Sequence, residues 1–419
     1  MTRFSRPLLD ACTAAFAAVL PLAQPADSAL SAFFRGHPKI GQRDRATIAD
    51  SVYAALRRKR LLESLVGTPS PRRLALATWT VLLGASLREL EPWLRGEEPQ
   101  WLAGVKRGTA AGQPLGVQCE LPDWVIEKLR LRLDEPALLD LARGLAQSAA
   151  LDLRVNSMKM TREDAAKRLA DEGIHAVPTR YSPDGLRIEG RPAINQLPLF
   201  LEGGVEVQDE GSQLLCRLVA PKRGEMVVDF CAGAGGKTLA LGAQMRSTGR
   251  LYAFDISPKR LSGLKPRLAR SGLSNVHPQL IEGVKDTRIK RLAGKIDRVL
   301  VDAPCSGLGT LRRNPDMKWR QTPEDVRELA AKQSSLIAAA ARLVKPGGRL
   351  VYATCSILDE ENREVAETFL AGHAQFRLLP AVEVLEKERI DLDMGDYFEV
   401  WPHRHGTDGF FAAVFERSA

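Results

Sequence analysis

Short apolar segments alternate with helix-like stretches through the C-terminal half of the chain, and no other feature constrains the fold as strongly. Four of these segments are "EMVVDF" (225–230), "RLYAFD" (250–255), "DRVLVD" (297–302) and "GRLVYATC" (348–355). Apolar runs of this length, separated by helical stretches, are typical of strands in a parallel sheet that is buried on both faces. We therefore predict a parallel α/β fold from about Val205 onwards.

The ends of these four segments carry polar or reactive side chains. Three segments reach Asp229, Asp255 and Asp302 at or next to their ends, and the fourth ends in Cys355. In open α/β sheets, ligands bind beyond the carboxyl ends of the strands. The pattern predicts that all four side chains line one cleft.

A glycine-rich loop, "DFCAGAGGKTLAL", follows the first of these strands and opens a helix. Gly233, Gly235 and Gly236 permit a tight turn and allow backbone amides to approach a ligand closely. The end of the loop also matches a phosphate-binding GxxxxGK[ST] motif, but Cys231 stands where that motif requires its first glycine. A cofactor loop is therefore favoured over an NTPase loop, and a glycine-rich turn without a ligand is the structural alternative.

The spacing between this loop and Asp255 indicates the type of cofactor. A dinucleotide-binding GxGxxG motif would require a third glycine where Thr238 stands. Asp255 follows Gly233 by 22 residues, close to the offset of an acid that binds ribose hydroxyls. These features predict a nucleoside cofactor without a pyrophosphate, for which S-adenosylmethionine is the candidate.

A second cysteine, Cys305, follows the third strand in "VDAPCSGLGTLRRNPDMKW". Taken alone, Cys305 or Cys355 would be interpreted as a buried structural thiol, because free cysteine is among the most buried residue types. Two thiols at neighbouring strand ends beside a cofactor loop instead indicate a reactive site, with a disulfide as the alternative. The residues that we expect to face the substrate beside it are Arg312, Arg313, Lys318 and Trp319.

Methylation of carbon 5 of a pyrimidine explains why a thiol is needed. A thiolate adds to carbon 6, which makes carbon 5 nucleophilic towards the methyl group of the cofactor. An acid near ring nitrogen 3 stabilises the adduct, and Asp302 has suitable chemistry if its proton is retained or shared. A base then removes the carbon 5 proton, a step that a second cysteine can assist. This chemistry applies to uracil as well as to cytosine.

Six motifs occur in an order that resembles the RsmB/NOP2/Sun family of RNA cytosine-C5 methyltransferases. They are "VQDEGSQL", "DFCAGAGGKTLAL", "FDIS", "DAPCSGLGTLRRNPDMKW", "YATCSILDEEN" and "WPHRHGTDGFFAAVF". The resemblance extends from about Val205 to Arg417 and implies a Rossmann-like class I methyltransferase domain that uses S-adenosylmethionine. It also implies that Cys355, in the TC motif, is the nucleophile and that Cys305, in the PC motif, takes part in product release.

The resemblance further implies which residues contact the cofactor. One departure concerns an acidic residue upstream of Asp302, because family members commonly have a Gly-Asp pair where this chain has "IEGVKD". Glu282 or Asp286 is expected to replace that acid. The cofactor-binding residues implied by the family are Cys231, Ala232, Gly233, Ala234, Gly235, Gly236, Lys237, Asp255 and Asp302.

The N-terminal part predicts two further domains. Residues 1–140 are helical in pattern, and "SALSAFFRGHPKIGQRDRATIADSVYAALRRKRLLESLV" resembles the NusB-like domain of bacterial RsmB-type enzymes. Residues 141–204 predict a small α+β RNA-binding module with a strand, a helix capped by Thr161 and a hairpin, before the methyltransferase domain at 205–419. Basic runs at 56–60 and 71–73 are either an RNA-facing patch or solvated helix faces.

Composition fits an RNA partner. The 419 residues carry a net charge of +9, and surplus Lys and Arg attract polyanions. The six cysteines form no CxxC pair, which argues against a zinc site, and no apolar stretch is long enough for a membrane span. We expect a cytoplasmic, monomeric enzyme without a metal that modifies 16S ribosomal RNA. The alternatives are a cytosine in another rRNA or in tRNA, and a non-catalytic ribosome assembly factor.

Overall fold

The computed structural model describes residues 4–190 and 192–419. No helix among these residues is long and apolar enough to cross a membrane. The helices are α1 (Arg6–Val19), α2 (Ala26–Gly36), α3 (Gln42–Arg57), α4 (Lys59–Val66), α5 (Pro71–Ala77), α6 (Leu87–Leu90), α7 (Glu98–Arg107), α8 (Leu115–Cys119), α9 (Asp123–Leu129), α10 (Glu135–Ala146), α11 (Arg162–Asp171), α12 (Pro198–Leu201), α13 (Glu210–Val219), α14 (Gly236–Gln244), α15 (Pro258–Ser271), α16 (Thr287–Arg291), α17 (Met317–Arg320), α18 (Pro323–Ala341), α19 (Arg363–Gly372), α20 (Ala381–Lys387) and α21 (Pro402–His405). The strands are β1 (Leu151–Val155), β2 (Ala176–Pro178), β3 (Gly185–Ile188), β4 (Val205–Val207), β5 (Met226–Asp229), β6 (Arg250–Asp255), β7 (Val276–Leu280), β8 (Ile296–Asp302), β9 (Val344–Thr354), β10 (Phe376–Leu379), β11 (Phe398–Val400) and β12 (Phe410–Arg417).

The chain divides into two compact units. The helical unit runs to Ser148 and also includes a later segment, Thr310–Gln321. The second unit consists of Ala149–Gly309 and Thr322–Ala419, and it contains every strand that the structure describes in residues 4–190 and 192–419. The chain therefore enters the helical unit a second time, immediately after the loop that carries Cys305.

The large sheet of the second unit has the strand order β10-β12-β9-β8-β5-β6-β7, with β11 paired to β12. Strands β5 to β9 are parallel to one another, whereas β12 runs antiparallel to β9. The four predicted strands are confirmed as β5, β6, β8 and β9. This is a Rossmann-like α/β sheet with an antiparallel edge.

Both faces of this sheet are buried, which explains why its strands are continuous apolar runs. Along β9, Leu350 and Tyr352 belong to one hydrophobic cluster, and Val351 and Ala353 belong to the cluster on the other face. Each of these four side chains is fully buried. Successive strand residues point to opposite faces, so a sheet covered on both sides needs apolar residues at every position.

The strand order reverses at β5, because β6 and β7 lie on one side of it and β8 and β9 on the other. Such a switch point opens a crevice at the carboxyl ends of the strands. Asp229, Asp255 and Asp302 end β5, β6 and β8, and Cys355 follows the last residue of β9. The predicted convergence of these four strand ends is therefore present.

The small α+β module precedes this sheet within the same unit. It has a four-stranded antiparallel sheet, β2-β3-β1-β4, with α11 against it. The side chain of Thr161 accepts a hydrogen bond from the backbone of Asp164, so the predicted capped helix is confirmed. Glu206, in β4, accepts hydrogen bonds from Arg267 and Arg270 of α15, which joins the module to the large domain.

The helical unit has its own hydrophobic core. Trp79 is fully buried in this core, and its indole nitrogen donates a hydrogen bond to Ser51 Oγ at 3.0 Å. Several residues of the basic runs at 56–60 and 71–73 form ion pairs with acidic residues within the unit. The ion pairs are Arg58–Glu120 (3.9 Å), Lys59–Glu63 (2.7 Å), Arg60–Asp123 (2.6 Å) and Arg72–Glu98 (2.8 Å).

The returning segment, Thr310–Gln321, packs into the core of the helical unit. Trp319 Nε1 donates to the carbonyl of Leu56 at 2.9 Å, and the buried Lys318 ammonium donates to the carbonyl of Arg57 at 3.2 Å. Burial lowers the pKa of Lys318 to about 7. The expectation that Lys318 and Trp319 face the substrate is therefore wrong, because these two side chains complete a core instead.

Candidate active site

Two free thiols stand side by side at the carboxyl ends of β8 and β9. The Sγ atoms of Cys305 and Cys355 are 3.2 Å apart, and both residues are partly exposed. The backbone nitrogen of Cys355 also donates to Cys305 Sγ at 3.3 Å, and its carbonyl accepts from Gly309 N at 2.8 Å. Both thiols are thus available at one point of the cleft, although 50 residues separate them in the sequence.

The surroundings of Cys305 keep this thiol protonated. Its hydrogen bond with Cys355 and its burial both raise the pKa of Cys305 well above the ordinary value, and the carboxylate of Glu361 acts in the same direction. Because the thiolate is the nucleophilic form of cysteine, this environment disfavours Cys305 as the attacking group.

A buried carboxylate, Glu361, lies directly beneath the two cysteine loops. It accepts hydrogen bonds from Ser306, which follows Cys305, and from Ser356, which follows Cys355. Glu361 is not among the site residues predicted from the sequence. Its only signal there is the acidic stretch that comes after "YATCS".

Lys237 and Asp302 form an ion pair at the same edge of the sheet. Lys237 Nζ lies 2.7 Å from Asp302 Oδ2, and the Lys237 side chain is only 13% exposed. Burial disfavours the charge on Lys237, but the attraction and hydrogen bond of Asp302 outweigh burial and raise the pKa of the ammonium. The pair therefore holds a proton beside the two thiols.

Asp229 lies behind this pair as a second, more deeply buried carboxyl group. Thr238 donates a hydrogen bond to Asp229 Oδ2 at 2.6 Å, whereas Oδ1 is buried without a hydrogen-bond partner in the structure. Burial raises the pKa of Asp229 to about 7, and the nearby charge of Asp302 adds to this effect. An unsatisfied buried oxygen at a strand end is a feature that a bound ligand can relieve.

The glycine loop between β5 and α14 has the shape that its sequence predicts. Gly233 and Gly235 have φ angles of 56° and 84°, in the left-handed region that favours glycine. A Cβ atom on Gly235 would lie 2.1 Å from Leu264 Cδ1, whereas one on Gly233 would enter open space. The loop is therefore packed on one side and open on the other, where a ligand can approach its backbone.

Asp255 stands opposite this loop, at the end of β6. Its Oδ2 accepts from Gly233 N at 2.8 Å, and its Oδ1 accepts from Ser257 N at 2.7 Å. A carboxylate oxygen can accept more than one hydrogen bond, so these contacts leave capacity for ribose hydroxyls. The open face at Gly233, the carboxylate of Asp255 and the unsatisfied oxygen of Asp229 together fit a nucleoside cofactor.

Glu282 and Asp286 are the two residues predicted to supply a further acidic contact to the cofactor. Asp286 uses both of its carboxylate oxygens locally, because Oδ2 accepts from Glu282 N at 3.0 Å and Oδ1 accepts from Arg288 N at 2.8 Å. Glu282 is exposed. The Asp286 side chain is only 4% exposed and pairs with Arg288 at 3.1 Å, so Glu282 has the more accessible carboxylate of the two.

The structure gathers the predicted site residues at one edge of the large sheet. The catalytic candidates Cys305, Cys355 and Asp302 follow or end β8 and β9, next to the Lys237 side chain. Cys231 contributes no reactive thiol there, because burial raises its pKa strongly. The predicted cofactor-binding residues in the loop between β5 and α14 are Cys231, Ala232, Gly233, Ala234, Gly235, Gly236 and Lys237.

Comparison with known proteins identifies relatives over most of the chain. A family model for 16S rRNA methyltransferase RsmB/F matches residues 216–416, and a model for the ferredoxin-like domain of RsmF/B-like methyltransferases matches residues 121–195. The "Probable ribosomal RNA small subunit methyltransferase B" of Synechocystis sp. is 36% identical over 306 residues, which cover 73% of this chain and 68% of the relative. The protein of the same name from Bacillus subtilis is 33% identical and is covered over 66% of its length. The chain thus spans about two thirds of these relatives.

A solved structure with the same overall fold is the crystal structure of PH0851. It superposes with a TM-score of 0.80 at 27% sequence identity, and the match covers 99% of both chains. A second, NSun6 from Pyrococcus horikoshii, solved with SFG, has a TM-score of 0.62 at 20% identity and covers 71% of this chain. At that level of identity, the second likeness shows the fold alone.

Proposed function

Because the chain belongs to the family of 16S rRNA methyltransferases RsmB/F, we propose that it methylates carbon 5 of a cytosine in 16S ribosomal RNA. The cofactor is S-adenosylmethionine, which supplies the methyl group when bound. The observation that carries this proposal is the pair of thiols, Cys305 and Cys355, 3.2 Å apart at the edge that also carries the cofactor loop. One thiol can add to carbon 6, and a second thiol beside it can assist release from carbon 6.

In this mechanism Cys355 attacks first. Its thiolate forms a bond to carbon 6 of the cytosine, and the electron pair of the 5,6 double bond becomes available at carbon 5 for bonding to the methyl group. The backbone of Cys355 is held on both sides, by Cys305 Sγ and by Gly309 N, so its sulfur has a defined direction. Holding reacting atoms in a defined geometry lowers the barrier of such an addition.

The Lys237–Asp302 pair supplies the proton that the ring needs. Negative charge on the ring during addition is neutralised by a proton at ring nitrogen 3. Asp302 can donate a proton only when it is protonated, whereas the Lys237 ammonium, 2.7 Å away, carries a proton that it can pass to Asp302. We assign proton donation to the pair, with Asp302 oriented towards the base.

Cys305 acts in release. After methyl transfer, carbon 5 still carries its original proton, and removing it restores the 5,6 double bond and expels the Cys355 sulfur. Cys305 lies beside Cys355 and therefore beside carbons 5 and 6 of an attached base. Cys305 is protonated at rest, so it first gives up its own proton to water, and the resulting thiolate is a strong base because its surroundings raise its pKa. It then accepts the carbon 5 proton, and ring nitrogen 3 returns its proton to the Lys237–Asp302 pair.

RNA must bring an unstacked cytosine to this edge, because a thiol cannot reach carbon 6 inside a helix. The net charge of +9 favours binding to the RNA backbone, and we propose that the NusB-like helical unit and the α+β module contribute to it. A cytosine in another rRNA or in tRNA is the alternative target. A non-catalytic assembly factor is opposed by the intact set of Cys305, Cys355 and Asp302.

The test is transfer of a labelled methyl group from S-adenosylmethionine to transcribed 16S rRNA, followed by bisulfite mapping of the product. We expect one protected cytosine with the wild-type protein and none with Cys355→Ala, which should still bind the cofactor. If a cytosine is protected from bisulfite only in tRNA or in 23S rRNA, that RNA is the substrate instead of 16S rRNA. Absence of transfer to any of these RNAs, with cofactor binding intact, would support the assembly factor instead.

A further inference from the structure

The carboxylate of Glu361 is fully buried and joins the two cysteine loops to one another. Ser306 donates to it twice, from its backbone nitrogen to Oε1 at 2.8 Å and from its hydroxyl to Oε2 at 2.5 Å. Ser356 donates from its hydroxyl to the same Oε2, also at 2.5 Å. The two serine hydroxyls are 3.2 Å apart. One carboxylate oxygen therefore binds both loops at once.

Each of these serines directly follows one of the active-site cysteines. Ser306 is bonded to Cys305 and Ser356 to Cys355, and consecutive Cα atoms are fixed about 3.8 Å apart by the planar peptide bond. A restraint on the two serines is therefore a restraint on the two cysteines. The loops follow the paired strands β8 and β9, whose pairing runs as far as Asp302 and Ala353 and brings the loops together. Beyond the strand ends, Glu361 can fix the separation of the loop residues.

A third contact connects Glu361 to the helix that packs behind the site. Gln333, on α18, donates from Nε2 to Glu361 Oε1 at 3.0 Å and to the carbonyl of Pro304 at 3.0 Å. Tyr352 donates to the Gln333 side chain at 3.1 Å. The carboxylate thus belongs to a buried polar network anchored in α18 and β9.

Burial of polar groups in such a network destabilises the folded protein unless each group forms a hydrogen bond. A buried carboxylate is stable only when donors replace the water that it loses, and here four donors converge on it. Apolar residues would fill the same space without that requirement. A buried charge at this position is explained if it serves to hold the two loops in a fixed relation.

We propose that Glu361 is the positioning residue that sets the separation of Cys305 and Cys355, so that one thiol attacks the base that the other deprotonates. This inference rests on the proposed function. Glu361 is the group that holds together two loops whose cysteines are 50 residues apart in the sequence. The carboxylate of Glu361 is hydrogen-bonded to Ser306 and Ser356 and not to the sulfur of either cysteine. It therefore acts on the positions of the cysteines through these two serines.

The four hydrogen bonds to Glu361 predict different effects for the substitutions Glu361→Gln and Glu361→Ala. In Glu361→Gln, the remaining oxygen can still accept from Ser306 N and Gln333 Nε2, and the new amide can donate to the two serine hydroxyls, which also accept. This variant preserves the geometry without the charge. Glu361→Ala removes all four contacts and frees the loops.

The first readout is turnover at saturating S-adenosylmethionine. We expect Glu361→Ala to lower kcat about 100-fold, the effect of a displacement of roughly 1 Å between reacting groups, with the KM for the cofactor unchanged. Glu361→Gln should retain most of the wild-type kcat. If Glu361→Gln were as inactive as Glu361→Ala, the charge itself would be needed and the positioning role would be wrong.

The second readout does not depend on methylation. Oxidised glutathione converts the two thiols to a disulfide and is itself reduced to two molecules of glutathione, and the equilibrium reports the effective concentration of one thiol near the other. We expect Glu361→Ala to lower this effective concentration about tenfold or more and Glu361→Gln to restore it. An unchanged equilibrium in Glu361→Ala would overturn the proposal.

Two further variants keep the test valid if Glu361→Ala does not fold. Ser356→Ala removes one donor to Glu361, and the matched control Ser334→Ala removes a hydroxyl on α18 that bonds only within the helix. Both readouts should change in Ser356→Ala and not in Ser334→Ala; equal effects in both would argue against the proposal. If the disulfide equilibria follow the expected order but the wild-type protein methylates no RNA, the proposed function fails while the positioning role stands.

Discussion

Cys305 Sγ lies 3.2 Å from Cys355 Sγ, in a pair of loops that end adjacent parallel strands. The hydrogen bond with Cys355 and burial raise the pKa of Cys305 well above the ordinary value. The two sulfurs are close enough to act on the same base. We propose a division of the reaction in which Cys355 attacks the base and Cys305 takes part in release.

The division predicts opposite outcomes for the two alanine variants. Cys305→Ala should form the bond between Cys355 and carbon 6 but release product slowly, so a gel-stable RNA adduct should accumulate. Cys355→Ala should form no adduct and should lose methyl transfer by at least about 10⁴-fold. Denaturing gels with labelled RNA provide the measurement. An adduct in Cys355→Ala but not in Cys305→Ala would reverse the assignment.

The Lys237–Asp302 pair predicts a strong coupling between the two positions. Asp302→Asn leaves the Lys237 ammonium, which is only 13% exposed, without its counter-charge, and should destabilise the protein by about 3 kcal/mol. Adding Lys237→Met removes the unpaired charge, so the double variant should regain part of this loss. Urea unfolding of the single and double variants measures the coupling. Strictly additive effects would show that the pair is not coupled.

Asp229 predicts a specific pH dependence. Its pKa is raised to about 7 by burial, whereas an aspartate in an unfolded chain titrates near about 4. Between these values the folded protein holds the extra proton, so the contribution of Asp229 to stability is present below about pH 4 and is lost as the pH rises towards about 7. Asp229→Asn should remove this loss. Thermal midpoints of both proteins across that range should diverge as the pH rises, and parallel curves would contradict the prediction.

Gly309 predicts a steric effect on the nucleophile loop. A Cβ atom at this position would lie 2.2 Å from the carbonyl oxygen of Gly409 and 2.8 Å from that of Cys355. Gly309→Ala should therefore displace the Cys355 loop and cost about 1–3 kcal/mol of stability together with activity. Gly263→Ala is the control, because its Cβ would be 3.8 Å from the nearest atom, within α15. Equal losses in both variants would indicate a general effect of alanine.

The surplus of basic residues predicts that RNA affinity depends steeply on salt. If the protein neutralises about six phosphates, its affinity should fall about 10³-fold between about 50 and about 200 mM salt. Filter binding with 16S rRNA fragments measures the slope, and binding of S-adenosylmethionine in the same buffers is the control. An affinity that does not change with salt would exclude a phosphate-based interface.

The elements that the sequence predicts well are those with a local cause. Strands β5, β6, β8 and β9 follow from continuous apolar runs, because both faces of the sheet are covered. The helix capped by Thr161 follows from its capping box with Asp164. In each case, the residues that decide the structure lie within a few positions of one another.

The sequence misleads where partners are distant in the chain. In the basic run at 56–60, Arg60 pairs with Asp123 and Arg58 pairs with Glu120, partners that lie about 60 residues further along the chain. Likewise, Lys318 and Trp319 follow the Cys305 motif closely but belong to the core of the helical unit. Composition shows which charges are present, whereas only folding shows which of them are already paired.

The sequence alone determined the parallel sheet, the cofactor loop and the two cysteine motifs, because strand periodicity and glycine conformation are properties of neighbouring residues. Only the tertiary structure decided how these parts form one site. It pairs Lys237 with Asp302 and brings Ser306 to the carboxylate of Glu361, across separations of 65 and 55 residues. Contacts between different strand ends depend on the strand order of the sheet, which no local pattern in the chain encodes.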